Sequence, residues 1–230
     1  MSELITNLNN ILDIKGNIKS AIENKGVDMT SVSFSGYASK IGEISGGGGW
    51  DQKSITEKSY EIINLDNSAS FVANYAFYNN SYIQTVNLPN CTEVRFSAFY
   101  GCISLSQVSL PMCSSIGANA FYYCTSLSQM SLPMCSYISN NAFQYCSSLS
   151  QVSLPVCSYL GGSVFQNCSS LSIITIGYSS VCNLRYSDAF SRTQITTLTG
   201  SIYVPTSLVD AYKSAANWSY FSTQIFPIQE

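Results

Sequence analysis

The chain has 230 residues, a formal net charge of −3 and no histidine. Without histidine, the usual catalytic triads and the common zinc sites are not available. No Lys/Arg cluster provides a nucleic-acid footprint, and no apolar run approaches the length of a membrane span. We therefore expect no enzymatic activity, no cofactor, no bound metal, no nucleic-acid partner and no membrane insertion.

Residues 1–44 are predicted to form a helical attachment and oligomerisation segment. The apolar residues of 2–24 follow a heptad seam, which Lys15 interrupts. The members of this seam are Leu4, Leu8, Ile11, Ile18 and Ile22. We expect the seam to join copies of the chain, most simply as a homotrimer; the alternative is a helical cap on the first repeat. A Gly-rich linker at 45–49 favours the first interpretation, because a cap should be tightly joined to what it covers.

An unbroken eleven-residue interval between cysteines dominates residues 50–200. The cysteines at this interval are Cys91, Cys102, Cys113, Cys124, Cys135, Cys146, Cys157 and Cys168. Leu-Pro-x-Cys and Ala-Phe-x-x-Cys each return every 22 residues, so the interval is half a repeat. A fixed period of this length predicts a solenoid of about six 22-residue coils, with degenerate coils at both ends.

Each coil supplies the same apolar positions to a shared core. These positions are Phe99, Phe121, Phe143 and Phe165; Leu105, Leu127, Leu149 and Leu171; and Val108, Met130, Val152 and Ile174. The segment Leu-Ser-Gln-Val-Ser-Leu alternates enough for a short strand, which the following proline ends. Such strands, about 4.8 Å apart, should pair in parallel into one sheet on the order of 25–30 Å long.

The cysteines are expected to be buried free thiols. They could instead form disulfides or a metal site, but no pair has Cys-x-x-Cys spacing and nine is an odd number. An eleven-residue interval places alternate cysteines on opposite sides of a coil. Two ladders of buried thiols are therefore predicted, which suits folding in a reducing compartment.

Residues 201–230 are predicted to form a C-terminal cap. Ile202-Tyr203-Val204 should be a strand that Pro205 ends, followed by a helix that Thr206 or Ser207 caps and that runs to about Ala216. Large apolar side chains beyond the helix should then cover the open edge of the core.

Two sets of outward residues are candidates for a ligand surface. Gln107, Gln129 and Gln151 repeat along the strand face, flanked by serines. Near the Ala-Phe turn lie Tyr78, Tyr100 and Tyr122, with Tyr123 and Tyr145 one place further along. Tyr137 and Tyr159 form a short third column. Tyrosine suits recognition because it offers area and a hydroxyl at low entropic cost. The alternative is that these columns only stabilise neighbouring coils.

Residues 65–228 resemble the BspA-like leucine-rich repeat family. The motif that carries the resemblance is Ala-Phe-x-x-Cys-x-x-Leu followed by Val-x-Leu-Pro, as at Ala98-Phe99, Cys102, Leu105 and Val108–Pro111. The ending IYVPTSLVDAYKSAANWSYFSTQIFPI is also similar to how these arrays close. The resemblance implies an α/β repeat solenoid used for adhesion and for protein or glycan binding, without catalysis. It supplies no binding residues, because the family has no shared site motif.

The N-terminal segment DIKGNIKSAIENKGVDMTSVSFSGYASKIGEI resembles a short stretch near the start of some phage tail and other virion proteins. This implies a virion structural or tail-fibre protein, made in the host cytoplasm, with other virion proteins as partners and a host cell-surface glycan or protein as ligand. The first residues lack the pattern of a signal peptide, so Sec-dependent secretion is not expected. The alternatives are a bacterial surface or secreted adhesin, and a structural particle component without a ligand.

Overall fold

The computed structural model describes residues 62–64, 70–177 and 179–229. Each regular coil there contributes two short strands, which belong to two different sheets. The strands are β1 Ile62–Asn64, β2 Phe71–Val72, β3 Thr85–Asn87, β4 Glu93–Val94, β5 Gln107–Ser109, β6 Ser115–Ile116, β7 Gln129–Ser131, β8 Tyr137–Ile138, β9 Gln151–Leu154, β10 Tyr159–Leu160, β11 Ile173–Ile176, β12 Asn183–Leu184, β13 Ser201–Val204 and β14 Ile225–Pro227. The predicted N-terminal helix and its seam, as well as the linker at 45–49, lie outside the described residues.

All strand pairs are parallel, and neighbours in the regular coils are 22 residues apart, which confirms the solenoid. The even-numbered strands from β2 to β12 form one continuous six-stranded sheet, here called the second face. Its two-residue strands were not predicted. The remaining strands form the first face, which is divided into β1-β3-β5 and β7-β9-β11-β13-β14. The prediction of one uninterrupted sheet on this side is therefore wrong, because the sheet is broken between β5 and β7.

The core consists of columns in which each side chain packs on its copy in the next coil. The predicted Phe and Leu columns are fully buried. Rings from Phe77 to Phe190 stack with centroids 5.1 to 5.7 Å apart and nearly parallel planes. Val108 is the exception in its column, since it lies beside the break between β5 and β7 and is only half-buried. Burial of each such side chain contributes about 1.5–3 kcal/mol.

The nine cysteines are free and buried, which confirms the prediction of unpaired thiols. In one ladder each S–H donates to a carbonyl two residues ahead, as Cys113 does to Ser115 at 3.2 Å. In the other ladder each S–H donates to the carbonyl of a phenylalanine 25 residues earlier, as Cys124 does to Phe99 at 3.1 Å. The thiols thus fill space and also satisfy backbone oxygens inside the core.

The C-terminal cap begins with the predicted strand, which is β13, but its helix is shorter than expected. A 3₁₀ turn at Thr206–Leu208 leads into α1, Val209–Ser214, and neither Thr206 nor Ser207 makes a side-chain capping bond. The helix ends early because Ala215 is already extended. No helix in the described ranges is long and apolar enough to cross a membrane.

Trp218 closes the core at this end of the array. Its ring is 1 % exposed and packs 5.9 Å from the ring of Phe190, the last phenylalanine in the stack. Its indole N–H donates to the carbonyl of Cys182 at 2.6 Å, and the hydroxyl of Tyr212 accepts from the Cys182 N–H at 2.9 Å. These bonds fix the cap onto the final coil.

The buried thiols predict a fall in stability at alkaline pH. Burial raises the pKa of Cys102 and of Cys113 to about 12 from 9.0. Between these values the folded state keeps protons that the unfolded state releases, so the free energy of unfolding should be flat below about pH 9 and fall above it. Guanidinium denaturation under reducing conditions from pH 7.5 to 10.5 measures this. A Cys102→Ala variant should show a shallower fall, and a flat profile in the parent protein would contradict the assignment.

Candidate functional site

Tyr78, Tyr100 and Tyr122 form the predicted column. The rings of Tyr78 and Tyr100 stack with centroids 4.7 Å apart, and so do those of Tyr100 and Tyr122. Both faces of Tyr100 are therefore covered, and the residue presents its edge and its hydroxyl. Burial raises the pKa of Tyr100 and of Tyr122, and neighbouring tyrosines raise each further. Both hydroxyls consequently stay protonated donors at neutral pH.

The other two predicted tyrosines join this column. The ring of Tyr145 lies edge-on to that of Tyr122, with centroids 5.4 Å apart, and 5.8 Å from the ring of Tyr123. Tyr123 is 47 % exposed. The structure thus brings all five predicted tyrosines into one surface patch, here called the tyrosine cluster: Tyr78, Tyr100, Tyr122, Tyr123 and Tyr145.

Two members of the tyrosine cluster have a strained backbone. Tyr123 and Tyr145 have φ values of 62° and 64°, in the left-handed region. The equivalent positions of the other coils are left-handed too: Asn79, Gly101 and Asn167 tolerate this region better than tyrosine, whereas the last coil has Arg192 there, with a φ of 62°. A tyrosine in such a conformation costs about 1–3 kcal/mol, whereas asparagine, with its short polar side chain, adopts it at lower cost; such costs concentrate at functional sites.

The coil before Tyr123 has no side chain at the equivalent position. Gly101 has a φ of 70°, and the carboxamide of Asn79 occupies the space that a Cβ at Gly101 would need. No aromatic ring can therefore stack from that coil. The ring of Tyr123 contacts only the rings of Tyr122 and Tyr145 among the described aromatic residues, and its remaining surface is exposed.

The three predicted glutamines line a groove on the first face. The groove has a volume of about 660 Å³ and extends from Thr85 to Thr175 along the strands. Gln107, Gln129 and Gln151 are exposed there, and the break between β5 and β7 separates Gln107 from Gln129. The ladder brings Gln129 and Gln151 side by side, whereas Gln107 belongs to the other part of the first face.

The amides of these glutamines differ from those of another glutamine pair. Gln144 donates to the side-chain oxygen of Gln166, so those two amides satisfy each other. In the described part of the chain the side chains of the groove glutamines make no such bond, and their donors and acceptors are open to a ligand. The groove is therefore a second candidate surface, more polar than the tyrosine cluster.

Tyr75 also belongs beside the tyrosine cluster, although the sequence pattern did not identify it. Its ring lies 5.6 Å from that of Tyr78 and 5.2 Å from that of Phe96, both edge-on. Its position directly before Ala76-Phe77 could have revealed it, because that motif places it at the same turn. Among the described residues no group of cysteines and carboxylates is arranged to hold a metal ion.

Comparison with known families identifies the repeats. A family model described as BspA type leucine rich repeat region matches six copies over residues 51–172 and 92–215. The chain belongs to the BspA-type leucine-rich repeat family. This agrees with the motif at Ala98-Phe99 and Cys102. No curated protein is significantly similar to the chain.

Several solved structures are similar to this chain. The pneumococcal vaccine antigen PcpA is 20% identical and matches with a TM-score of 0.57 over 75% of this chain and 42% of its own. A leucine rich cell surface protein from Faecalibacterium prausnitzii is 22% identical, with a TM-score of 0.49 over 72% of this chain and 46% of its own. A T. pallidum leucine rich repeat protein is 26% identical, with a TM-score of 0.45 over 50% and 57%. The chain thus spans about half the length of these proteins.

Relief of the strained backbone should stabilise the protein. We expect Tyr123→Asn and Tyr145→Asn each to raise the free energy of unfolding by about 1 kcal/mol, because about 1–3 kcal/mol of strain exceeds the loss of about 0.5–1.5 kcal/mol of aromatic contact. Chemical denaturation measures the change. Tyr122→Asn is the control: its backbone has no positive φ, so it should only lose stability. Destabilisation of all three variants to the same degree would contradict the assignment of backbone strain to Tyr123 and Tyr145.

Proposed function

We propose that this BspA-type chain is a non-enzymatic adhesion module whose tyrosine cluster binds a glycan or a protein on a cell surface. The observation that carries the proposal is the left-handed backbone of Tyr123 and Tyr145. Asparagine or glycine at these positions would serve the fold better, as the neighbouring coils illustrate. At Tyr123, which is 47 % exposed, a tyrosine that costs stability supports selection for contact with a ligand.

The chemistry of the tyrosine cluster fits such a ligand. Tyrosine edges and hydroxyls provide apolar contact and hydrogen bonds from rigid side chains, so little entropy is lost on binding. Because the rings support one another, the surface is organised before the ligand arrives. The groove with Gln107, Gln129 and Gln151 offers free amides that can extend the same contact around the coil.

The ionisable groups of the central coils support a role without catalysis. Between residues 88 and 175 the charged side chains are Glu93 and Arg95, which form an ion pair with 2.9 Å between Arg95 Nε and Glu93 Oε2. Burial raises the pKa of Cys102 and of Cys113 to about 12. A protonated thiol without access to solvent is a poor nucleophile.

A finer proposal concerns where the module acts. We propose a virion fibre or tail protein, with residues 1–44 as the attachment and trimerisation segment and other virion proteins as partners. Nine free thiols favour folding in a reducing compartment such as the host cytoplasm. The alternative is a bacterial surface or secreted adhesin, and the shared fold of PcpA, a vaccine antigen, is in keeping with that role.

Binding should depend on the tyrosine cluster. On an array of bacterial and mucosal glycans and surface proteins, Tyr123→Asn/Tyr145→Asn should lose binding by about tenfold or more, because central aromatic residues contribute about 2 kcal/mol or more each. Tyr220→Ser, at a tyrosine that is 74 % exposed outside the cluster, is the matched control. Equal binding by the double variant and the parent protein would contradict the proposal.

The oligomeric state should depend on the heptad seam. Light scattering of the full chain should give the mass of a trimer, and Ile11→Lys/Ile18→Lys should give a monomer, because charges in a seam oppose helix association. Asn9→Lys, off the seam, should remain a trimer. A monomeric parent protein would rule out the trimer and weigh against the fibre.

A further inference from the structure

The second face carries an aromatic pair outside both candidate surfaces. The rings of Tyr137 and Tyr159, in β8 and β10, stack with centroids 4.8 Å apart and planes within 5°. Tyr137 is 45 % exposed. The residue paired with it in β6 is Ser115, so among the described residues no ring covers the other face of Tyr137, which is turned towards Ser115. One aromatic face is thus open on this sheet.

Arg185 adds a fixed positive charge to this pair. One of its guanidinium nitrogens, Nη1, donates to the hydroxyl of Tyr159 at 3.3 Å. Its guanidinium carbon lies 5.2 Å from the centre of the Tyr186 ring. Its main-chain carbonyl accepts from the side chain of Asn217 at 3.1 Å, which ties this turn to the C-terminal cap. Neutral partners therefore orient the guanidinium.

The Tyr186 ring itself needs a glycine beneath it. A Cβ at Gly162 would lie 2.7 Å from a carbon of that ring, so a larger residue at this position would displace the ring from its place beside the guanidinium. Tyr186 is 52 % exposed and makes no aromatic stack with Tyr159. Its packing thus serves the orientation of Arg185.

No carboxylate balances Arg185 in the described part of the chain. The nearest acidic residue in sequence, Asp188, accepts from the backbone N–H of Ser163 at 3.1 Å and from its hydroxyl at 2.7 Å. Arg95 on the same face is different, because Glu93 neutralises it. Arg185 thus keeps most of its N–H donors and an uncompensated charge, the arrangement that recognises a carboxylate or a sulfate.

We propose that Tyr137, Tyr159 and Arg185 form a binding site for an acidic oligosaccharide. The carboxylate or sulfate group of one sugar binds the guanidinium of Arg185, and the oligosaccharide continues past the edges of Tyr159 and Tyr137, so that the apolar face of a sugar further along packs on the open face of Tyr137. Charge selects the acidic group, and the flat ring selects a sugar with C–H bonds on one face. The site is separate from the tyrosine cluster and does not depend on it.

Titration calorimetry of the full chain with three probes tests the site. The probes are trigalacturonate as the carboxylate, a chondroitin sulfate tetrasaccharide as the sulfate, and maltotriose as the neutral sugar. At least one acidic probe should bind and maltotriose should bind much more weakly. Arg185→Gln should lower the affinity for the acidic probe by about tenfold, because a hydrogen-bonded charge contributes about 1.5–3 kcal/mol. Tyr137→Ser should weaken binding by several-fold.

Controls separate this site from the tyrosine cluster. Arg192→Gln removes another exposed arginine, whose side chain donates to Asn167 at 3.4 Å, and this variant should bind the acidic probe as the parent protein does. Tyr123→Asn/Tyr145→Asn should also retain the acidic probe, whatever it does on the glycan array. Arg185→Lys should lose affinity although it keeps the charge, because it lacks the planar fork. Unchanged binding by Arg185→Gln, equal binding of maltotriose, or no binding of either acidic probe would overturn the proposal.

Discussion

Stacking of each phenylalanine on the same residue of the next coil fixes the geometry of the array. The rings from Phe77 to Phe190 repeat at 5.1 to 5.7 Å, close to the spacing of about 4.8 Å at which parallel strands form hydrogen bonds. Because backbone and core share one period, every outward side chain also lies directly over its copy. The constraint that builds the core therefore also arranges the surface into ladders.

Side chains arranged in such ladders tend to stack on, or hydrogen-bond to, their own copies in the neighbouring coils. Tyr100 is covered on both faces by its copies, and Gln144 bonds to Gln166 in the next coil. Free binding capacity arises where two successive coils differ, because the partner residue is then missing. Two such places are Gly101 before Tyr123 and Ser115 before Tyr137, and the break in the first face between β5 and β7 is a third. In this fold the irregular positions, more than the consensus ones, are where recognition can occur.

The sequence predicted the features that repeat with the burial pattern. The Phe and Leu columns, the parallel strands such as β7 and β9, and the buried free thiols all follow from a 22-residue period. The second face was missed because two residues, as in β6, are too few for alternation to be visible. Grouping of the five tyrosines followed from their spacing, whereas the backbone strain at Tyr123 did not. A left-handed φ becomes visible only when Asn79 and Gly101 are recognised as occupants of the same turn position.

The buried thiols make the stability of the repeat depend on their oxidation state. Each S–H donates to a backbone carbonyl, as Cys168 does to Phe143 at 3.0 Å. Oxidation would remove this donor and add a polar, bulkier group inside a packed core, which would destabilise the array. Where the period ends, Thr193 replaces the thiol, and its hydroxyl donates to the carbonyl of Phe190 in its own coil at 2.7 Å. At this turn position the thiol therefore bonds to the preceding coil, and the hydroxyl bonds to its own coil.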